Sequence, residues 1–172
     1  MLSKDEIKEE IDSLGKSLDH AWLRWFDHAV GALVTKLKEN GIYENTLIVI
    51  TSDHGNYNLG KTTLYEGGVK VPLLTHWPKT IVKDPYDELL QDIDFMPTFL
   101  QLAGVDMDEV EYSMDGVSLK NALIGSKDSL HEYLFFALGF ARGVTAKEWK
   151  YIAVRYDEQT QIKLKMEWSL KG

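Results

Sequence analysis

Apolar residues recur every three or four positions from Ile7 to Leu37. This spacing predicts a long amphipathic helix, because residues three and four apart lie on the same helical face. Ser3 and Glu6 have the capping-box spacing, which predicts the start of this helix. Gly15 could interrupt this helix, since glycine costs about 1 kcal/mol relative to alanine inside a helix.

An unbroken apolar run from Leu47 to Ile50 leads directly into Thr-Ser-Asp-His-Gly. Such a run is typical of a strand that is buried on both faces of a parallel sheet. Ligands of these sheets bind beyond the carboxyl ends of the strands, which is where Asp53 and His54 would lie. An ordinary polar turn could have the same residues, and the run alone does not separate the two interpretations.

Further elements complete a mixed α/β region. The segment from Val69 to Trp77 has the composition of a second strand. A helix is expected to begin near Asp92 or Asp94 and to stop at Gly104. A short helical piece is expected around Leu119 to Leu123, within a loop-rich stretch.

The composition changes after about residue 130. The segments from Tyr133 to Phe140 and from Trp149 to Tyr156 are rich in aromatic and β-branched residues, and apolar and charged residues alternate strictly from Ile162 to Trp168. Alternation with period two marks strands with one buried face. We therefore expect an α/β region over residues 1–128 and a small antiparallel β-rich subdomain over residues 129–172.

Composition and charge restrict the class of protein. The chain has 172 residues, of which 44% are hydrophobic and 27% charged, which is typical of a globular protein with a sizeable core. Its net charge of −8 argues against nucleic-acid binding, which requires a basic surface. There is no cysteine for a disulfide or a thiolate metal site. Neither a signal peptide nor a membrane-spanning segment is predicted.

The residues after His54 carry a more specific motif. From Gly60 they read Gly-Lys-Thr-Thr-Leu-Tyr-Glu-Gly-Gly-Val-Lys-Val-Pro, which, together with Thr-Ser-Asp-His-Gly, resembles the second half of the sulfatases, members of the alkaline phosphatase superfamily. Segments beginning at Phe26, Asp94, Met114 and Trp149 follow the order found in that family. The resemblance covers roughly residues 18 to 155 and implies part of an alkaline-phosphatase-like α/β sandwich with a small C-terminal antiparallel β subdomain.

The resemblance implies roles for three residues. Asp53 matches an aspartate that binds a divalent cation, usually calcium, and a carboxylate suits such a hard ion. His54 stands where many members have asparagine; because imidazole is the commoner ligand of transition metals, zinc and manganese, as well as magnesium, stay open beside calcium. Lys61 matches the catalytic lysine, which contacts the sulfate and stabilises the leaving oxygen. The implied metal ligands are Asp53 and His54, and the implied substrate contacts are Lys61 and His54.

The nucleophile of the family is missing from this chain. Sulfatases use a formylglycine, which is made from cysteine or serine in a Cys/Ser-x-Pro-x-Arg motif. This chain has no cysteine, and none of its four prolines has a serine two positions before it. We therefore expect a C-terminal portion of a sulfatase that is inactive alone and that either pairs with the missing N-terminal half or self-associates.

Two other functions stay open. A hydrolase of phosphate or phosphonate esters from the same superfamily would use zinc or manganese, and His54 supports it, whereas the Lys-Thr-Thr-Leu-Tyr-Glu-Gly-Gly element argues against it. A non-catalytic domain could retain the scaffold for binding or assembly. The expected substrate is a sulfate ester, and neither nucleic acid nor a membrane is an expected partner. The alcohol part of the ester is not determined, because its contacts usually lie on variable loops.

Other polar residues are expected to serve the structure. The sequence Glu66-Gly67-Gly68 is expected to fix a turn in which the glycines adopt positive φ angles. His76 and His131 lie outside any motif that would make them ligands, and both are expected to be structural.

Overall fold

The computed structural model describes residues 2–55 and 60–169. Its contacts divide the chain into two units, one formed by Met1–Ile48 and Thr75–Lys79 and the other by Val49–Leu74 and Thr80–Gly172. The division after residue 128 that the composition predicts remains a prediction. No helix in the described ranges is long and apolar enough to cross a membrane.

The first unit contains two helices where one was predicted. Helix α1 spans Lys4–Ser13 and helix α2 spans Ala21–Glu39. The expectation of one continuous helix is wrong, because Gly15 adopts a φ of +61°, the left-handed conformation with which helices commonly end. The predicted capping box is confirmed: the Glu6 amide donates to the Ser3 hydroxyl at 3.3 Å, and the Ser3 amide donates to the Glu6 carboxylate at 2.7 Å.

The two helices contact each other through a small core and one carboxylate. Ile7 and Ile11 of α1 are buried. Glu10, on the same helix, accepts hydrogen bonds from Arg24 Nε at 2.8 Å and lies 3.0 Å from His28 Nε2, both on α2. No residue of α2 is itself buried. Large apolar side chains of this unit are exposed instead: Leu14, Leu18, Trp22, Leu23, Phe26 and Leu33.

The two predicted strands are present and form a two-stranded sheet. Strand β1 spans Ile48–Thr51, and strand β2 spans Leu73–His76. The second is shorter than predicted, because Glu66–Val69 forms a short helix, α3, and Pro72 immediately precedes β2. The expectation that β1 is buried on both faces is wrong for this chain, since its residues are half-buried or exposed.

The second unit has a buried polar centre beside helix α4, which spans Phe95–Leu102. This helix starts and stops as predicted: a 3-10 turn over Asp92–Asp94 precedes it, and Gly104 follows with a φ of +84°. The fully buried Asp94 accepts hydrogen bonds from the amides of Gln91 at 2.9 Å and Val117 at 2.8 Å. Short helix α5, Lys120–Leu123, lies at the predicted place.

The predicted C-terminal antiparallel sheet is confirmed, although its central strand, residues 141–145, was not predicted. Strands β3 (Leu134–Leu138), β4 (Ala141–Thr145) and β5 (Lys150–Val154) pair in the order β3-β4-β5. Gly143, in the central strand, is buried, and a side chain at this position would lie 3.4 Å from the Leu64 methyl group. The sheet therefore packs directly against the motif that follows β1.

The segment with alternating apolar and charged residues is not a strand. It forms helix α6, Glu158–Ser169, so the strand expected from Ile162 to Trp168 is wrong. Lysine, leucine, methionine, glutamate and glutamine favour helix strongly, and here this local preference prevails over a short alternation. Asp157 supplies the N-cap, since its carboxylate accepts the Thr160 amide at 2.8 Å.

Candidate functional site

Asp53 and His54 leave β1 side by side with different exposure. The Asp53 side chain is 85% exposed and that of His54 is 40% exposed. His54 Nε2 lies 3.6 Å from Asp53 Oδ1, while His54 Nδ1 lies 2.7 Å from the carbonyl oxygen of Gly55. Because a carbonyl oxygen only accepts, Nδ1 must carry the proton in this contact, and Nε2 keeps its lone pair in the neutral imidazole.

This tautomer is the one that a metal-binding histidine needs. Histidine ligands usually donate the other ring N–H to a carboxylate or a backbone carbonyl, which fixes the orientation of the ring. Here Nε2 and a carboxylate oxygen face each other at a distance that would suit two ligands of one cation. Two donors do not complete a site, however: the described residues contain no group of three or more side chains of the types that could hold a metal.

The loop that carries this pair is held by close backbone contacts. The Gly55 amide donates to the Gly68 carbonyl at 2.8 Å, and a Cβ on Gly55 would lie 2.1 Å from the Gly67 oxygen. A Cβ on Gly68 would lie 2.3 Å from the Thr63 oxygen and 2.4 Å from the Gly60 oxygen. The glycines of Tyr-Glu-Gly-Gly lie in α3 and not at positive φ, so that expectation is wrong. Gly68 is needed because there is no space for a side chain.

Lys61 lies in a strained turn. Gly60 before it has a φ of +120°, and Thr62 after it has a φ of +67°. Positive φ in a β-branched residue is a real outlier that costs on the order of 1–3 kcal/mol, and such residues cluster at functional sites. The Thr63 amide and hydroxyl both donate to the Gly60 carbonyl, at 3.0 and 2.6 Å. Within the described ranges the half-buried Lys61 side chain makes no hydrogen bond or ion pair.

A cleft of about 830 Å³ brings Asp53 and His54 together with residues from distant parts of the second unit. Its lining includes residues of α3, of the segment before α4 and of the C-terminal sheet, among them Glu66, Lys70, Tyr86, Glu88, Trp149 and Lys150. Lys61 is not among the described residues that line this cleft. The structure therefore groups the two proposed metal ligands and leaves the proposed catalytic lysine outside their cleft.

Charged pairs set the electrostatics of the cleft wall. Lys147 Nζ lies 2.5 Å from the Glu88 carboxylate, and this hydrogen bond raises the pKa of Lys147. Burial raises the pKa of Tyr86, and the nearby Glu88 charge adds to that effect. Lys150 pairs with Glu66 across the same cleft.

The structure also assigns roles to residues that sequence reasoning did not single out or left outside any site. His131 Nε2 lies 2.9 Å from the buried Asp94, and His76 Nε2 lies 2.6 Å from the Tyr43 hydroxyl, as expected of structural histidines. Lys150 was not singled out, although it lies in the Trp149–Ile152 segment that follows the order of the family. Its contacts with Glu66 depend on the tertiary structure and have no local signal.

Comparison with known proteins agrees with the motif. The family model described as Sulfatase matches residues 19–105, which is half of the chain. Arylsulfatase A from Homo sapiens is 35% identical over 136 residues, an alignment that covers 70% of this chain and 26% of the relative.

Solved structures show the same fold. A sulfatase from Pseudoalteromonas sp. superposes with a TM-score of 0.60 at 24% identity, over 76% of this chain and 33% of the other. A phosphonate monoester hydrolase from Silicibacter pomeroyi superposes with a TM-score of 0.66 at 25% identity, over 74% and 30%. This chain spans about a quarter to a third of the length of these relatives. With the motif, the fold and the family match in agreement, the chain belongs to the sulfatase family and has part of its alkaline-phosphatase-like α/β fold.

Proposed function

We propose that this chain supplies the cation-binding and sulfate-binding part of a sulfuric ester hydrolase site. The observation that carries the proposal is the arrangement of His54: its Nδ1 is committed to the Gly55 carbonyl, which leaves Nε2 3.6 Å from the Asp53 carboxylate. In a chain of the sulfatase family, these two donors at the end of a strand are the expected place for a divalent cation.

Calcium is the proposed cation, with magnesium, zinc and manganese as the other candidates. Asp53 offers the hard oxygen that calcium prefers, and His54 Nε2 offers the nitrogen that transition metals prefer. The bound cation would neutralise charge on the sulfate group. Because calcium takes six to eight oxygen ligands, this pair would need further ligands, and no cluster of three or more His, Cys, Asp or Glu side chains among the described residues supplies them.

Lys61 is proposed to contact the sulfate and to stabilise the negative charge that develops on the leaving oxygen. Within the described part of the chain its ammonium makes no ion pair, so its charge is not already neutralised by a carboxylate. A preorganised cation near developing charge is among the largest contributions to catalysis. His54 is proposed as a further contact of the sulfate.

The formylglycine nucleophile is proposed to belong to a part of the enzyme that this chain does not contain. The exposed apolar side chains of the first unit support an association with that part or between copies of this chain: Trp22 is 77% exposed and Leu23 69%. Exposed apolar surface, where it is large, marks interaction sites.

Paramagnetic broadening by Mn²⁺ in NMR spectra of the 172-residue chain tests the cation site. We expect selective broadening of the Asp53 and His54 signals, which disappears in Asp53→Ala and persists in Asp92→Ala, a carboxylate elsewhere in the same cleft. Broadening that follows Asp92 instead of Asp53 would refute the site.

Turnover of an aryl sulfate tests whether the nucleophile lies outside this chain. The chain alone, with added calcium, should release no measurable sulfate, because loss of a nucleophile costs hydrolases on the order of a millionfold in rate. Lys61→Ala should behave identically. Release of sulfate that falls in Lys61→Ala would show that the site is complete without a formylglycine.

The second candidate is a hydrolase of phosphate or phosphonate esters. It is favoured by the free Nε2 of His54 and by the similarity to the phosphonate monoester hydrolase. Competition between zinc and calcium for the Asp53 site separates the candidates: displacement of calcium by equimolar zinc supports the second.

A further inference from the structure

The strained turn around Lys61 needs support that its own residues do not provide. Thr62 keeps a positive φ only because the surrounding contacts determine its conformation. Local hydrogen bonds from Thr63 to Gly60 close the turn, and the Gly68 amide donates to the Tyr65 carbonyl at 2.8 Å. These contacts lie within residues 60–68, and one further backbone bond, from the Gly55 amide to the Gly68 carbonyl, joins the end of the segment to the Asp53 loop.

Lys150 of β5 attaches the same segment to the C-terminal sheet. Its Nζ donates to the carbonyl oxygen of Leu64 at 3.3 Å and to the Glu66 carboxylate. Both acceptors belong to the 60–68 segment, and both lie more than 80 positions away in the sequence. Hydrogen bonds from a charged donor are stronger than those between neutral groups, and here one ammonium group binds two acceptors of the same segment.

The surroundings commit Lys150 to this role. Its side chain is 14% exposed, whereas that of Glu66 is 63% exposed. Its ammonium also lies 5.1 Å from the centre of the Phe136 ring on β3, a cation–π contact. The buried Leu64 side chain fills the space above Gly143 of β4. All three strands of the C-terminal sheet therefore contribute to one contact with the 60–68 segment.

We propose that Lys150 is a positioning residue for Lys61: by binding the Leu64 carbonyl and the Glu66 carboxylate, it holds the strained turn in the conformation that presents the Lys61 ammonium. The proposal rests on the proposed function of Lys61 in sulfate binding. On this proposal the C-terminal sheet contributes to the site, because the ammonium group of Lys150 on β5 holds the 60–68 segment in place.

Amide hydrogen exchange, measured by NMR on the 172-residue chain, tests the attachment directly. In Lys150→Met, which keeps the aliphatic stem but removes the charge, exchange at Thr63 and Gly68 should become about tenfold faster or more. The reference amide is Ala103 at the end of α4, which donates to Phe99 at 2.9 Å and should change less than about twofold. Lys150→Arg should restore most of the protection.

Two variants complete the design. Lys147→Met removes a neighbouring lysine of the same cleft that pairs with Glu88, and it should leave Thr63 and Gly68 unchanged. Glu66→Gln removes the same ion pair from its exposed end, and it replaces Lys150→Met if that variant does not fold. Unchanged exchange at Thr63 and Gly68, or equal acceleration at Ala103, would overturn the proposal.

A titration with inorganic sulfate, followed through the ¹³C-labelled ε-methylene signal of Lys61, connects the attachment to the site. The apparent affinity should weaken about tenfold in Lys150→Met and recover in Lys150→Arg. A Lys61 signal that does not shift on addition of sulfate to the unaltered chain would refute the proposed function of Lys61. The amide exchange at Thr63 and Gly68 tests the role of Lys150 independently of that result.

Discussion

Two aspartates of the second unit have opposite surroundings. Asp94 is fully buried and accepts from two backbone amides and from His131, so its charge is matched by donors on three sides. Asp53 is 85% exposed, and His54 Nε2 lies 3.6 Å from its carboxylate. The scaffold around Asp94 is complete within this chain, whereas Asp53 has one candidate co-ligand among the residues described.

The difference fits the structural role of Asp94 and the proposed role of Asp53 as a cation ligand. Asp94 joins three segments of one chain, and Thr98 on the next helical turn extends the network: its hydroxyl accepts the Leu119 amide at 2.7 Å. An aspartate that binds a cation needs exposed oxygens and further ligands, and it contributes little to folding. The proposed cation site can therefore be altered without loss of the fold, which makes the two aspartates a matched pair for mutation.

Replacing Asp94 should have the largest effect. Asp94→Ala leaves His131 and two buried amides without their acceptor, and breaking a buried pair in this way costs about 3–5 kcal/mol of stability. Asp53→Ala, at an exposed position, should stay within about 0.5 kcal/mol of the unaltered chain. Urea unfolding at neutral pH measures both. Equal losses in the two variants would break the comparison.

The second largest effect on stability is expected at Gly68, where the backbone packs closely beside the Asp53 loop. In Gly68→Ala the new methyl group would collide with the Thr63 and Gly60 carbonyls, which should cost about 1–3 kcal/mol. Gly31→Ala is the control, because nothing lies within 4 Å of a Cβ at this position. This substitution should stabilise α2 by up to about 1 kcal/mol. Thermal unfolding of both variants shows whether each substitution lowers or raises stability. A harmless Gly68→Ala would mean that the loop adapts.

Calcium should affect stability less than either substitution. With two candidate ligands, Asp53 and His54, we expect a dissociation constant of about 1 mM or weaker, so a few millimolar calcium should add no more than about 1 kcal/mol. Calorimetry and unfolding with and without calcium measure this, with Asp53→Ala as control. Micromolar binding that disappears in Asp53→Ala would show a complete cation site in this chain.

The smallest effect concerns Glu10, which is intermediate between the two aspartates in exposure. Hydrogen bonds from Arg24 and then His28 lower the pKa of Glu10 below its usual 4.5. A lowered folded-state pKa contributes stability above the unfolded pKa, and this contribution is lost as the pH falls through the folded value. Stability should therefore decline less steeply below pH 4.5 in Glu10→Gln than in Glu9→Gln. Identical profiles would contradict this assignment.

Local sequence signals determined much of the fold. The capping box at Ser3, the start and stop of α4 and the strand before Asp53 each depend on neighbouring residues, and each is present as predicted. The C-terminal antiparallel sheet is also present, but two of its three strands were predicted and the central one was not. The motif likewise identified the family. Short-range hydrogen bonding and the periodicity of apolar residues carry these signals, so they are readable before the chain folds.

Contacts between distant residues decided the rest. Three features have no local signature in the sequence: the direction of the His54 ring, the position of Lys61 outside the lining of the cleft, and the bonds from Lys150 to Leu64 and Glu66. Two wrong predictions, the single long first helix and the strand from Ile162 to Trp168, have local causes instead. Gly15 ends a helix by its backbone conformation, and the alternating residues of α6 follow their helix propensity.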